Sequence, residues 1–130
     1  MEENETTKIE YYENGQMKSE DHFKHGVRNG TSLRWYDNGK KESEHQCKDG
    51  KLHGICISWY KDGTKKSAYH YNNGEPHGIW EEWYQNGTKK YEGHYTDGKL
   101  DGLCTGWWES GKKNYAEHYK NGDLIKDIYY

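Results

Sequence analysis

Four histidines, His22, His70, His94 and His118, occupy the same place in a 24-residue spacing, with Gln46 in the remaining place. Imidazoles held in register are the residue type for a metal site or a pH-sensitive switch. The spacing argues against a metal. Equivalent places one period apart lie two strands apart in a sheet, about 9.6 Å, whereas zinc holds its nitrogen ligands at about 2.0–2.1 Å. A single column cannot supply two ligands, and only a pair such as His70 with His77, across one strand boundary, comes near. No metal and no cofactor is expected, and the column reads as cross-strand packing.

The other reactive side chains point the same way. Cys56 and Cys104 recur two periods apart, hence about 19 Å across four strands, far beyond the roughly 7 Å between Cα atoms that a disulfide permits. With Cys47 they read as small buried or half-buried residues. A lysine column, Lys41, Lys65, Lys89 and Lys113, flanked by Lys40, Lys66, Lys90 and Lys112, forms a basic stripe along one line of turns. Interleaved with aromatics, such a stripe could follow a phosphate backbone or lipid headgroups. Glu20, Glu44 and Glu92 stand three places further on and partly cancel it. The formal net charge of −3 comes from the first ten residues, and residues 11–130 balance. Strong attraction to nucleic acid or to an anionic membrane surface is therefore not expected, and such binding ranks second. No nucleophile elbow, phosphate-cradling glycine loop or paired metal-spaced cysteines occur, and the chain is expected not to be an enzyme.

The elements that must carry these residues follow from the period itself. Units of 24 open on an aromatic pair at Tyr11-Tyr12, Trp35-Tyr36, Trp59-Tyr60, Trp83-Tyr84 and Trp107-Trp108. They divide the chain into an acidic segment with a first edge strand (residues 1–10) and five repeats (11–34, 35–58, 59–82, 83–106, 107–130). A fixed period of this size means a repeat architecture. Hydrophobic residues are only 30% of the chain, but aromatics reach 15%, with 13 Tyr and six Trp. Disordered chains are poor in aromatics, and Tyr or Trp can build a thin core while keeping a polar tip in water.

Counting the aromatic pair as positions 1 and 2, position 5 is glycine in every unit (Gly15, Gly39, Gly63, Gly87, Gly111), as is position 16 (Gly26, Gly50, Gly74, Gly98, Gly122). Most follow Asn or Asp, the strongest short hairpin signal, because glycine accepts positive φ and Asn or Asp tolerates it. Each unit is thus strand–turn–strand–turn, with a shorter strand such as Thr64–Tyr71 and a longer one such as Lys51–Tyr60. A third glycine at position 20 (Gly30, Gly54, Gly78, Gly102) marks a bulge inside the longer strand; the last unit has Lys126 there and reads as a cap. Alternation groups positions 1, 13 and 21 on the more core-like face, and positions 2, 12, 18 and 22 on the other.

The runs Tyr71-Asn-Asn-Gly74-Glu-Pro-His77-Gly78, Cys47-Lys-Asp-Gly50-Lys-Leu-His53-Gly54 and Tyr95-Thr-Asp-Gly98-Lys-Leu-Asp101-Gly102 resemble the heart of the MORN repeat, aromatic-x-x-Gly-x-x-His-Gly. The added Trp-Tyr-x-Asn-Gly-x-Lys-Lys segment and the 24-residue period are similar to the bacterial MORN-variant repeat of proteins labelled antitoxin components. The resemblance implies a protein-binding scaffold, sometimes linked to membranes, without catalytic residues; the antitoxin label implies neutralisation of a partner.

The expected fold is all-β: an open, twisted antiparallel meander of about eleven strands, with a closed can as the alternative. The expected function is capture and neutralisation of a toxin-like or nucleic-acid-processing partner in the cytoplasm. Tyr36, Tyr60, Tyr84, Trp108 and Trp80 are the candidate aromatic contacts, aided by Lys41, Lys65, Lys89 and Lys113. Aromatic side chains dominate protein interfaces. An assembly scaffold, or a homodimer through the edge strands, are further alternatives.

Overall fold

The structure, a computed structural model, describes residues 4–130; Glu2 and Glu3 of the acidic segment lie outside them. Fourteen strands follow one another: β1 (Glu5–Tyr11), β2 (Met17–Lys24), β3 (Val27–Arg28), β4 (Gly30–Trp35), β5 (Lys41–Lys48), β6 (Lys51–Leu52), β7 (Gly54–Trp59), β8 (Lys65–Asn72), β9 (Glu75–Trp83), β10 (Lys89–Thr96), β11 (Lys99–Leu100), β12 (Gly102–Trp107), β13 (Lys113–Lys120) and β14 (Asp123–Tyr129). They form one antiparallel sheet in the order β1-β2-β4-β5-β7-β8-β9-β10-β12-β13-β14, with β3, β6 and β11 as detached starts of the longer strands. The path is therefore an eleven-strand meander. It is open: β1 and β14 are its two edges, and the closed can is not formed.

The two glycine series make different turns. At Asn73-Gly74 both residues take positive φ, 48° and 86°, the two-residue turn whose twist matches the flanking strands. At Asn14-Gly15 only the glycine does. There Tyr12 donates to the Gln16 carbonyl at 2.8 Å, Gly15 donates to the Tyr12 carbonyl at 3.0 Å, and Asn14 Oδ1 accepts the Gln16 N–H at 2.9 Å. This is the three-residue loop with a bulged glycine. All ten turn glycines have positive φ.

A bulge at each position-20 glycine inserts residues into the long strand. Tyr69 faces Trp80 while Tyr71 faces Pro76, so residues 77–79 oppose His70 alone. Gly78 sits at φ 103°, beyond the left-handed region that Asn can share. This bulge, with the register shift beside each aromatic pair, redistributes the side chains. Position 13 does not share a face with positions 1 and 21. Tyr71 and Tyr95 pack against Trp80 of position 22, while Lys89, beside the Trp83 ring, reaches Glu81 and Glu92 on the opposite face. Strict alternation fails wherever a strand carries an extra residue.

The last strand shows what the glycine does. With Lys126 in its place, His118 faces Lys126 and Tyr119 faces Leu124, so only Ile125 is extra. A lysine does not enter the φ that Gly78 adopts, the bulge shrinks by one residue, and the strand slips by one. Ile128 thereby faces Ala116, whereas Trp80 of the same repeat position faces Tyr69; Ile128 is on the opposite face from that position's other members. Nor is the strand a polar cap. Leu124, Ile125, Ile128, Tyr129 and Tyr130 are all exposed.

A single layer has only a thin interior, here small side chains such as Cys56, Ala68, Cys104 and Ala116, so adjacent repeats are tied by hydrogen bonds as well. The position-2 hydroxyls of Tyr12, Tyr36, Tyr60 and Tyr84 donate to the carbonyls of Trp35, Trp59, Trp83 and Trp107, one repeat on, at 2.6–2.7 Å. At the other turn series Gly50, Gly74, Gly98 and Gly122 donate to Arg28, Leu52, Pro76 and Leu100 at 2.7–2.9 Å. Position 19 adds a further acceptor: Asn29, His53, His77 and Asp101 each take the N–H of a turn residue twenty places on. The exchange of His for Asn or Asp there keeps a lone pair in place. Tyr36→Phe, which deletes one hydroxyl and nothing else, should cost about 1 kcal/mol, read as a lowered urea midpoint at unchanged slope.

Candidate binding groove

One face of the sheet, built by positions 9, 11, 13, 22 and 24, is hollowed between β9 and β13. Trp80 is its centre. Its ring stacks on Tyr69 (centroids 4.1 Å apart, 29° between planes) and tilts against Tyr95 (4.8 Å) and Tyr71 (5.5 Å). Its Nε1–H donates to the His70 carbonyl at 3.0 Å. Tyr69 in turn donates to Glu82. Burial first, and that carboxylate second, raise the Tyr69 hydroxyl well above the ordinary phenol range. Tyr91 is raised as well, by burial first and then by the Cys104 thiol. Both hydroxyls are therefore neutral donors throughout the physiological range, and no phenolate nucleophile arises here.

Beside Trp80 lies a cavity of about 460 Å³, lined on the β9–β10 side by Glu82, Tyr84, Lys90, Tyr91 and Tyr95 and on the other by Gly106, Trp107, Asn114 and Tyr115. Two glycines outside the repeating series, Gly93 and Gly106, let the rings of Tyr91 and Tyr115, which line it, lie close against the backbone. Other units carry Asp21, His45, Tyr69 or Glu117 at the first place, and Arg34, Ser58, Glu82 or Tyr130 at the second. At Gly106 a Cβ would enter the ring of Tyr115, and at Gly93 it would meet the Tyr91 phenol. Neither glycine has positive φ, so close approach, and not turn geometry, is what each provides. The buried neighbours Cys56 and Cys104 fill the same face with small side chains. All three cysteines are free.

The sequence-derived candidates divide between this groove and other work. Trp80 and Tyr84 line the cavity, and Tyr60 lines a smaller one of about 250 Å³ with Tyr69 and Glu82. Tyr36, Tyr60 and Tyr84 spend their hydroxyls as inter-repeat ties, leaving only ring faces for contact, whereas Trp108 is exposed. The lysine column lies over tryptophans: Lys41 over Trp59, Lys65 and Lys89 over Trp83, at 5.4–5.9 Å from the ring centres, with Lys113 over Tyr130. Lys41 is also paired with Glu44 at 2.9 Å, and Lys89 with Glu81 at 2.7 Å and Glu92 at 2.6 Å. Burial would lower the Lys89 ammonium, but the two glutamates outweigh it and raise it. The stripe is thus largely neutralised where glutamate stands at position 10, and open at Lys65 and Lys113, where Ala68 and Ala116 stand there.

The histidine column is dispersed among separate contacts within and across strands. His22 meets Glu20 at 3.0 Å and Thr7 at 3.2 Å, and His70 Nδ1 donates to the Ile79 carbonyl at 2.9 Å. Among the described residues no three His, Cys, Asp or Glu side chains gather to hold a metal ion, and no helix is long and apolar enough to cross a membrane.

Sequence reasoning missed Gly93, Gly106, Tyr91 and Tyr115. Their signal was present: in a chain whose other 14 glycines fall in register, two out of register mark places where a side chain was excluded. The family model of the MORN repeat variant matches residues 5–25, 28–49, 52–73, 76–97 and 100–130. No curated protein matches the chain.

Proposed function

Because this chain belongs to the MORN repeat variant family along nearly its whole length, we propose that it is a non-enzymatic protein-binding module. Its partner lies along the hollowed face and sets an apolar anchor against Trp80, Tyr91, Tyr95 and Tyr115. The observation that carries the reading is the aromatic cavity beside Trp80, walled by Tyr91, Tyr95 and Tyr115. Half-buried Trp and Tyr rings gathered in a concave patch are the side chains in which binding energy concentrates at interfaces. Capture then neutralises the partner by covering its working surface, in the manner of an antitoxin, with a nucleic-acid-processing effector as the expected target and the cytoplasm as the place.

The test is capture from a host lysate on immobilised chain, beside Gly106→Leu, whose side chain would displace the Tyr115 ring from the wall of the hollow, with a melting curve to show that the variant folds. Wild type should retain one protein at about 200 mM salt, a range in which phosphate-directed binding collapses; Gly106→Leu should lose it at least tenfold, and the eluted partner's activity should fall on re-addition of wild-type chain. Equal retention by Gly106→Leu, or release by salt alone, would overturn the reading in favour of the open lysines. Self-association is a second reading, favoured by the unpaired apolar edge of β14, and light scattering of the isolated chain decides it.

A further inference from the structure

The only two arginines of the chain, Arg28 and Arg34, line one cavity of about 260 Å³ with Ser32, Ser43, His45 and Cys47. It lies on the same face as the aromatic hollow but between the first and second repeats, where Arg34 pairs with Ser43 and Ser32 with His45 across β4 and β5. Every other cation of the chain is a lysine, and the aromatic hollow contains no arginine. The two guanidiniums are held differently. Arg28 donates from one nitrogen to Asp21 Oδ1 at 2.8 Å and to Ser32 Oγ at 3.0 Å, and its plane lies 5.4 Å from the Phe23 ring centre. Arg34 approaches Asp21 Oδ2 no closer than 3.8 Å, outside hydrogen-bond range.

Asp21 is buried, with a side chain 6% exposed, and its Oδ1 is doubly engaged. It also accepts the Ser32 hydroxyl at 2.6 Å. Burial alone would raise its carboxyl, but Ser32, Arg28 and more distantly Arg34 reverse this and hold it below its usual range. One carboxylate therefore stands against two guanidiniums, leaving one positive charge, the fork of Arg34 and the remaining N–H groups of Arg28 at the cavity. His45 does not add a second charge. Burial foremost, then Arg34 and Arg28, lower it, so the imidazole there is neutral and offers a neutral hydrogen-bonding edge.

We propose that this cavity is a carboxylate-binding site. A planar, singly charged oxyanion matches both the residual charge and the fork geometry of Arg34, with Arg28 fixed behind it by Asp21. A phosphate dianion would be left half-compensated beside a neutral His45. The site stands apart from the aromatic hollow and can hold whether or not that hollow binds protein. The carboxylate can be free or carried by a peptide.

Two arginines give two Nε–H cross-peaks in a ¹⁵N spectrum, and Arg34→Gln assigns them by removing one. Sodium acetate should shift both peaks saturably, sodium chloride at equal ionic strength should not, and Arg34→Gln should weaken acetate binding at least tenfold. Arg34→Lys, which keeps the charge but loses the fork, should also weaken it. An acetylated, amidated glutamyl peptide gripped more tightly than acetate assigns the site to a protein partner; equal affinity assigns it to a free carboxylate. Shifts that follow ionic strength alone, or inorganic phosphate binding tenfold more tightly than acetate, would overturn the proposal. Melting curves of both variants establish that they are folded, since Arg34 is 44% exposed and supports no packed core.

Discussion

Gly78→Val should lower the unfolding free energy by about 3 kcal/mol, a fall in melting temperature on the order of 10 °C for a chain of this size. Gly78 sits at φ 103°, where a β-branched residue suffers backbone strain on the order of 1–3 kcal/mol. Its Cβ would also lie 3.3 Å from the His70 Cβ on the paired strand, a contact between two main-chain-anchored atoms that neither side chain can swing away from. Gly74→Val is the comparison. That glycine has φ 86° and its Cβ would meet only the flexible Lys51 side chain at 3.7 Å or beyond, so the loss there should be smaller, a little over about 1 kcal/mol. Gly78 lies in the third of five repeats, and in a linear array each unit is held only by its neighbours. Hydrogen exchange should therefore accelerate in β8 and β9 first, with the outer repeats following. A melting curve for Gly78→Val equal to that for Gly74→Val would remove the bulge from the account of why position 20 is glycine.

The same residue marks how far the sequence could be read. The glycine periods located every turn, and the number of long strands, their antiparallel order and the open sheet followed. The faces did not. Alternation counts residues, and a bulge of two residues at Gly78 or of one at Ile125 resets the count by an amount set by φ, which the period alone does not state. Strand ends were displaced by a residue for a related reason: the expected Thr64–Tyr71 is Lys65–Asn72, because the bulged-glycine loop takes Thr64 into its closing bond with Tyr60. At the site, the tyrosines of position 2 were legible as a ladder, but a hydroxyl's choice between water and a carbonyl in the next repeat depends on the twist between strands. Gly93, Gly106, Arg28 and Arg34 were legible only as exceptions to a repeat whose recurring residues are employed in holding neighbours together.

Trp80→Ala should cost about 3 kcal/mol, toward the lower end of the range for deleting a large aromatic ring because this one is only half-buried. It would break three ring contacts at once, each worth about 0.5–1.5 kcal/mol beyond burial, and free the His70 carbonyl that Nε1–H now engages. Trp80→Phe keeps a ring against Tyr69 and Tyr95 but cannot donate, and should cost about 1 kcal/mol. The pair separates packing from hydrogen bonding by chemical denaturation. It also separates the ring's two employments. If Trp80 both supports the sheet and receives the partner, Trp80→Phe should weaken capture by more than its small stability loss accounts for, because the incoming anchor meets the indole edge directly. Capture that falls only in step with stability would leave Trp80 as a supporting ring, and the contact surface would then belong to Tyr91, Tyr95 and Tyr115.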